Sequence, residues 1–563
     1  MSSSSVVKAE TRRVAQEVNQ YRAEKMGRLK NLDLFILDNS IRESTVGQLR
    51  SHTIENKKAI FAEVKKCGLE HIIIASFSHM TRVDDDFCQY LADSGEDFTN
   101  LYSFSEVTKG LKNGRYDTES VPIALVKSKR YGIRNQIIEL DLANPDCKWG
   151  DTWTVEDHCQ LLLKWIRWTK AEIHNDARVL INLRDFAASM SRAPERVLQV
   201  VEFVASLPPH ERLFGIIYED LGDSLPQELG MWTESVRKVM DSCGWTDGRL
   251  LIHVHQQWDL QTASALDCLS NGADGVWASV CEEGAAVGHA CSSVTVMNLV
   301  RLGNKKVLEK FNCVEMRNAA RAVTKITTGM DPHPKQVLYG DRALDMVFGF
   351  PLQFVREFDM TKFFDVKPVV RMNTLVGTEM IRDRLIDVFG WSKAFTLEIA
   401  AEMKEKMLED LRQGRKEEYM SEVGLALLFD RAGGKLTEKM SDVIAAVKVE
   451  NYRHEELIAQ IRKLWDTWDL QDEVQDDERL QFDSFYHGFM APYFGCYRCD
   501  ITKQGLQCLD MDSDGYVDWK EFLVYIKWAL RQYPEVENAD DLLDITFQKG
   551  LIPAMRDEQL KNV

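Results

Sequence analysis

Twelve consecutive residues near the end of the chain set oxygen donors at intervals that suit a hard cation: Asp510-Met511-Asp512-Ser513-Asp514-Gly515-Tyr516-Val517-Asp518-Trp519-Lys520-Glu521. Asp510, Asp512 and Asp514 offer carboxylates, Tyr516 a backbone carbonyl, and Asp518 an oxygen directly or through water. Glu521 closes the shell with two oxygens, giving the six to eight that calcium takes. Gly515 permits the sharp turn at the sixth place. The plain alternative is an acidic surface loop, but every slot of the pattern is filled. A second constellation lies in RLLIHVH, residues 249–255, where His253 and His255 stand two apart. On a strand both point to one face. Two imidazoles there suit zinc, manganese, iron or cobalt, the alternative being two packed or surface histidines.

The elements that must position these groups fall into three blocks after a polar helical lead-in at residues 1–30. From residue 31 to 304 short β-rich runs alternate with amphipathic stretches. The runs include DLFILD, EHIIIASF, VLINL, LFGIIYED, RLLIHVH and GADGVWAS. Strand followed by helix, repeated over this length, predicts an α/β fold with a parallel sheet closed as a (β/α)8 TIM barrel. His253 and His255 then face the barrel interior at the C-terminal mouth, where active sites gather. Residues 305–450 read as mainly helical, as in MIRDRLIDVFGW and TLEIAAEMKEKMLEDLRQ. Residues 451–563 read as an all-α pair of EF-hands, the second intact at 510–521 with helices in TKQGLQCL and EFLVYIKWAL. The first, within residues 461–490, is degenerate. Leu480 and Phe485 repeat the spacing of Val517 and Phe522, but Ser484 stands where Glu521 would, and the turn has no glycine. That half is expected to bind no calcium. Trp465 and Trp468 are assigned to the core of this pair.

Bulk properties narrow the partners. The 563 residues carry a formal net charge of −18, with 45% hydrophobic and 28% charged residues. Such an acidic excess disfavours nucleic acid, whose binding needs clustered Lys and Arg. No run approaches the length of a membrane span, and the first thirty residues have no apolar core of a secretory signal. A cytoplasmic location with reduced thiols is the expectation. Cys496 and Cys499 have CxxC spacing but no second pair to complete a zinc site.

The motif order resembles the HMG-CoA lyase and isopropylmalate synthase superfamily, the pyruvate carboxyltransferase type of TIM barrel. LDNSIRES, with Arg42 and Glu43, resembles its first strand; GLEHIIIASF its second; VLINLRDFAAS its fifth. IIYEDLGDSLP, the His-x-His and the loop GAAVGHA follow in order, and VEMRNAARAVTKITTGMDPHPKQVLYGDRAL resembles the segment after the barrel in the synthases. The resemblance spans roughly Asn31 to Phe350. It implies a divalent metal held by Glu43, His253, His255 and His289, the last at the family's asparagine position. This set is softer than the usual one and favours zinc, iron or manganese over magnesium. It implies that Arg42 steadies a developing enolate oxygen.

Departures are equally specific. Ile73 stands where an acidic residue is expected. The post-barrel histidine of the synthases is missing, with Met346 and Pro351 nearby. Cys281 opens the loop that is reactive in the lyases but precedes Glu282 and Glu283, and reads as a bystander. Arg184 with Asp185, and Glu219 with Asp220, sit at strand ends and face either the pocket or a structural network. His52 and His79 are proton donors from the first two loops or surface histidines. The implied chemistry is Claisen or aldol formation or cleavage of a carbon–carbon bond on a 2-oxo acid or acyl-CoA, by a homodimer. The alternative is a non-catalytic calcium sensor or scaffold on a degenerate barrel, or a metal bound only structurally.

Overall fold

The computed structural model describes residues 3–42, 53–77, 82–107, 111–112, 115–116, 119–142, 154–221, 224–256, 258–284, 288–346, 360–366, 369–414, 419–469, 479–481, 485, 509–510 and 514–551. It divides into two compact units, one comprising Met1–Met346 with Phe350–Val369, the other Val347–Gly349 with Val370–Val563.

The first unit is a closed eight-stranded parallel barrel in the order β1-β8-β7-β6-β5-β4-β3-β2. Its strands are β1 (Phe35–Asp38), β2 (His71–Ser76), β3 (Leu101–Glu106), β4 (Asn135–Asp141), β5 (Val179–Arg184), β6 (Gly215–Asp220), β7 (Arg249–Val254) and β8 (Gly275–Ala278). A long helix α1 (Ser3–Asn31) precedes them. The helices between strands are α2 (Ile54–Lys66), α3 (Arg82–Asp93), α4 (Ile123–Tyr131), α5 (Val155–Glu172), α6 (Phe186–Arg192), α7 (Pro194–Ser206), α8 (Pro226–Ser242) and α9 (Gln261–Ser270). α10 (Ser292–Arg301), α11 (Lys306–Lys310) and α12 (Cys313–Thr328) follow.

Period-two alternation sorts each strand between two apolar environments. Leu37, Ile73, Ile137, Leu180, Ile217 and Leu251 plug the barrel interior. Their neighbours Ile36, Ile72, Ile138, Ile181, Ile216 and Ile252 face the helices. Each such side chain contributes about 1.5–3 kcal/mol on burial. Two residues further toward the C-terminal end, the interior pattern turns polar: Glu139, Asn182, Glu219 and His253 follow Ile137, Leu180, Ile217 and Leu251. The sequence thus writes a dry plug below and a polar layer above. β8 enters the sheet so close to β1 that a Cβ on Gly275 would lie 2.0 Å from the Phe35 carbonyl oxygen, hence the glycine.

The second unit has two cores of its own. The first gathers side chains of α14 (Thr378–Phe389), α15 (Leu397–Arg412) and α16 (Glu422–Arg431), among them Ile381, Met403 and Phe429; α13 (Met360–Phe364) belongs to the first unit. The second centres on Trp465, Phe485, Val517 and Phe522, with α18 (Trp519–Gln532) and α19 (Ala539–Ile545). A 32-residue helix, α17 (Glu438–Asp469), gives Met440 to the first core and Leu457, Ile461 and Trp465 to the second. Two short antiparallel strands, β9 (Arg479–Gln481) and β10 (Tyr516–Asp518), pair Leu480 with Val517. Five residues on from each, Phe485 and Phe522 meet at 5.5 Å between ring centroids. Among the described residues no helix is long and apolar enough to cross a membrane.

Candidate metal centre

β7 brings Leu251, His253 and His255 to the interior side in succession, and His255 falls one residue beyond the strand's end. The chain after β8 then doubles back onto β7. His289 N–H donates to the Glu282 carbonyl (3.1 Å), Gln256 N–H to Gly288 (2.8 Å), and Ala290 N–H to Val254 (2.9 Å). This return pairs His289 with His255 in an antiparallel bridge. Gly284 makes the return possible, since a Cβ there would sit 2.2 Å from His289 Nδ1.

Three imidazoles therefore converge. One ligand atom from each of His253, His255 and His289 lies within 4.8 Å of the others, and all three residues are buried. His253 is stacked parallel on Trp277 at 4.5 Å and lies 4.8 Å from both other rings; His255 and His289 are 4.3 Å apart. Burial and the neighbouring histidines hold His253 and His289 well below the usual imidazole range. Both are neutral and present lone pairs rather than charges.

The polar layer below orients them. Glu219 Oε1 lies 3.2 Å from His255 Nε2, and its Oε2 lies 4.0 Å from His253 Nδ1. Asn182 Nδ2 donates to Glu219 at 3.0 Å. Burial alone would raise the Glu219 carboxyl, but His255, Asn182 and the charge of Arg184 outweigh it and hold it lowered. An ionised carboxylate only accepts, so His255 carries its proton on Nε2. That leaves His255 Nδ1, which is buried and has no hydrogen-bond partner among the described residues. Both ring nitrogens of His253 are in the same condition. Buried, unpartnered imidazole nitrogens at His253 and His255 are costly unless something coordinates them, and three converging imidazoles fit a divalent transition ion.

Arg42 sits in the turn that ends β1, its N–H donating to the Asn39 carbonyl at 3.0 Å. Its guanidinium lies 4.2 Å over the Phe104 ring and 5.4 Å from that of Trp277, the indole that stacks on His253. Lys57 fixes this turn from behind by donating to the Ile41 carbonyl (3.2 Å) while paired with Asp84 at 2.7 Å, both fully buried. Arg184 lies 3.7 Å from Glu139. Asp185 adopts φ +47 at the start of α6, and Asp220 accepts from Ser224 at 3.4 Å. Ile73 belongs to the interior apolar plug. The Cys281 thiol is buried and pushed up to about 11 by burial. Glu282 and Glu283 line a neighbouring cleft of ≈ 440 Å³ with Gln256, His333, Gln336 and Tyr339. Glu43, His52, His79, Pro351, Cys496 and Cys499 lie outside the described residues, as does the side chain of Met346.

The oxygen-rich loop folds on its own carboxylates. Asp510 accepts from the N–H groups of Asp514 (2.9 Å) and Gly515 (2.8 Å), and Asp514 from that of Tyr516 (2.9 Å). Gly515 takes φ +88, the left-handed turn expected of it. Asp518 and Glu521 cap α18 reciprocally, at 2.8 and 2.9 Å. Trp465 packs against Phe485, Trp519 and Phe522 beneath the loop. Asp512 and Ser484, with the side chain of Trp468, lie outside the described residues.

Asn182 and Trp277 were not visible as site residues in the sequence. Asn182 had a signal in principle, since it shares the interior register of Leu180 and Arg184 on β5.

Scans against family models and against curated proteins give no match. Among solved structures, the chain is similar to an HMG-CoA lyase from Bacillus subtilis, at 14% identity and a TM-score of 0.40, over 54% of this chain and 96% of that one. It is also similar to an HMG-CoA lyase from Acinetobacter baumannii in complex with coenzyme A and 3-methylmalate, at 12% identity and TM-score 0.41, over 55% and 94%. A third is the carboxyl transferase domain of Rhizobium etli pyruvate carboxylase with pyruvate and biocytin, at 14% identity and TM-score 0.39, over 69% and 62%. Identities and scores this low transfer no activity.

Proposed function

We propose that the barrel holds a divalent transition metal and uses it to form or break a carbon–carbon bond next to a carbonyl, on a 2-oxo acid or acyl thioester. We further propose that residues 510–521 bind calcium. The observation that supports the first reading is the convergence of His253, His255 and His289 at the C-terminal mouth of the barrel, with ring nitrogens that are buried and unpartnered at His253 and His255. The substrate class follows from the order of motifs in the chain.

His253, His255 and His289 would hold the ion, with Glu43, next to Arg42, as the carboxylate ligand read from the sequence. Such an ion, when bound, polarises a carbonyl oxygen as a Lewis acid. Glu219 fixes the tautomer of His255 so that a lone pair faces the cluster. Arg42, pinned over Phe104 by its ring contact and by Lys57 behind it, offers a fixed cation where negative oxygen develops. Ile73 and the plug below it keep water from the floor of the site.

Turnover of candidate 2-oxo acids and acyl thioesters with added zinc or manganese tests this. The expected result is activity that disappears, together with the metal, in His253→Ala. Absence of turnover with every candidate, and a metal content indifferent to that substitution, would end the proposal. For the loop, calorimetric titration is expected to give one tight calcium site. Two tight sites would contradict the degenerate first half.

A second reading has one observation in its favour. Ile73 puts a hydrocarbon in the interior where a carboxylate was expected from the motif order. On that ground the barrel would be the inert body of a calcium-responsive scaffold. A barrel empty of transition metal would favour it, whereas metal bound without turnover would favour a purely structural ion.

A further inference from the structure

We infer that Arg479 is a built-in competitor of the cation at the 510–521 loop and sets its affinity; the inference rests on reading that loop as a calcium site. The strand register and two side-chain contacts place it there. Its backbone pairs across the strands with Asp518. Its guanidinium lies 5.2 Å from the centroid of the Tyr516 ring. Its Nη1 sits 3.2 Å from Oδ2 of Asp514, the carboxylate at the fifth place of the loop. On the calcium reading all three residues are donor positions of the loop, and Asp514 is the one whose ligand carboxylate the guanidinium touches. The donating half is the one that has lost its own acidic closing residue and turn glycine.

The consequence is electrostatic. A guanidinium seated on a ligand carboxylate must yield that oxygen, or share it, when a divalent ion enters. The strand pairing also anchors its backbone beside the loop, so its positive charge remains near the cation's. Both effects weaken binding and make it respond to salt. The ion pair itself is half exposed, at 47% and 37%, so it adds little to stability and Arg479 can be replaced without endangering the fold.

The test is calcium titration of the full-length chain by calorimetry, for the natural sequence, Arg479→Gln, Arg479→Lys and Glu521→Gln. Glu521→Gln should abolish the signal and so assign it to this loop. Arg479→Gln should bind calcium roughly three- to tenfold more tightly at low ionic strength. Arg479→Lys, which keeps the charge, should stay near the natural sequence. The gap should close toward 1 M salt, where the Debye length falls to about 3 Å. Calcium binding by the natural sequence with unchanged or weaker binding in Arg479→Gln would overturn the inference alone. A natural sequence that binds no calcium at this loop would overturn the reading of the loop, and the inference with it.

Discussion

Glu219 meets His255 through one hydrogen bond, and on the metal reading the effect of losing it is specific. Glu219→Gln keeps the shape but no longer dictates which nitrogen of His255 carries the proton. Loss of such an orienting carboxylate costs roughly 10–100-fold in metal affinity. Competition with a chromophoric chelator should therefore show weakened but detectable retention in Glu219→Gln and none in His253→Ala. Equal retention in Glu219→Gln and the natural chain would remove Glu219 from this role. A second residue-scale prediction concerns Asp38, which is fully buried and raised to about 7 by burial, with only partial relief from Ser40. A carboxyl raised in the folded state stabilises it fully below the unfolded value near 3.8, and that contribution is lost as pH rises through about 7. Asp38→Asn does not titrate, so it should gain on the natural chain above about pH 8 by roughly 2–4 kcal/mol. Thermal melts at pH 5 and pH 8.5 check the sign. A gap that is flat or narrows with rising pH would refute it.

At the scale of elements, the buried Lys57–Asp84 pair ties the turn after β1 to the end of β2, where Ser76 N–H donates to Asp84 at 2.8 Å. Lys57→Met leaves the Asp84 charge buried without its cation, a loss of about 3–5 kcal/mol. The double variant Lys57→Met, Asp84→Asn should recover most of it, because the amide still accepts from Ser76. Chemical denaturation of the two variants decides; equal losses would mean that the charge is not the issue. These elements were unevenly legible in the sequence. Six strands announce themselves as apolar runs, from DLFILD to GADGVWAS. β3 and β4 do not, because Ser103 and Ser105 of β3 and Gln136 of β4 put polar groups at outward positions and meet one another. Ser103 donates to Gln136 at 2.8 Å and lies 2.6 Å from Ser128 of α4, so hydrogen bonds replace the hydrocarbon that a periodicity argument looks for. At the site, the His-x-His spacing was enough to put His253 and His255 on one face. His289 came only through the resemblance, since its approach depends on a chain reversal that Gly284 allows. The role of Glu219 stayed open between pocket and network, because choosing requires the register of β6 against β7, where Glu219 stands beside His253.

The whole molecule presents two kinds of donor set in two compact units: imidazole nitrogens in the barrel, and oxygens alone in the loop of the second unit. On the proposed reading donor chemistry would separate their ions, since imidazole sites favour zinc, iron or manganese while all-oxygen loops favour calcium. The most direct test is element-resolved metal analysis of the full-length chain after exchange into metal-free buffer, beside His253→Ala prepared identically. The natural chain should retain about one equivalent of a transition metal. His253→Ala should lose that metal while binding calcium as before. A folded natural chain that holds no transition metal even after loading, or a variant that keeps it, would contradict the assignment of the barrel as a metal centre.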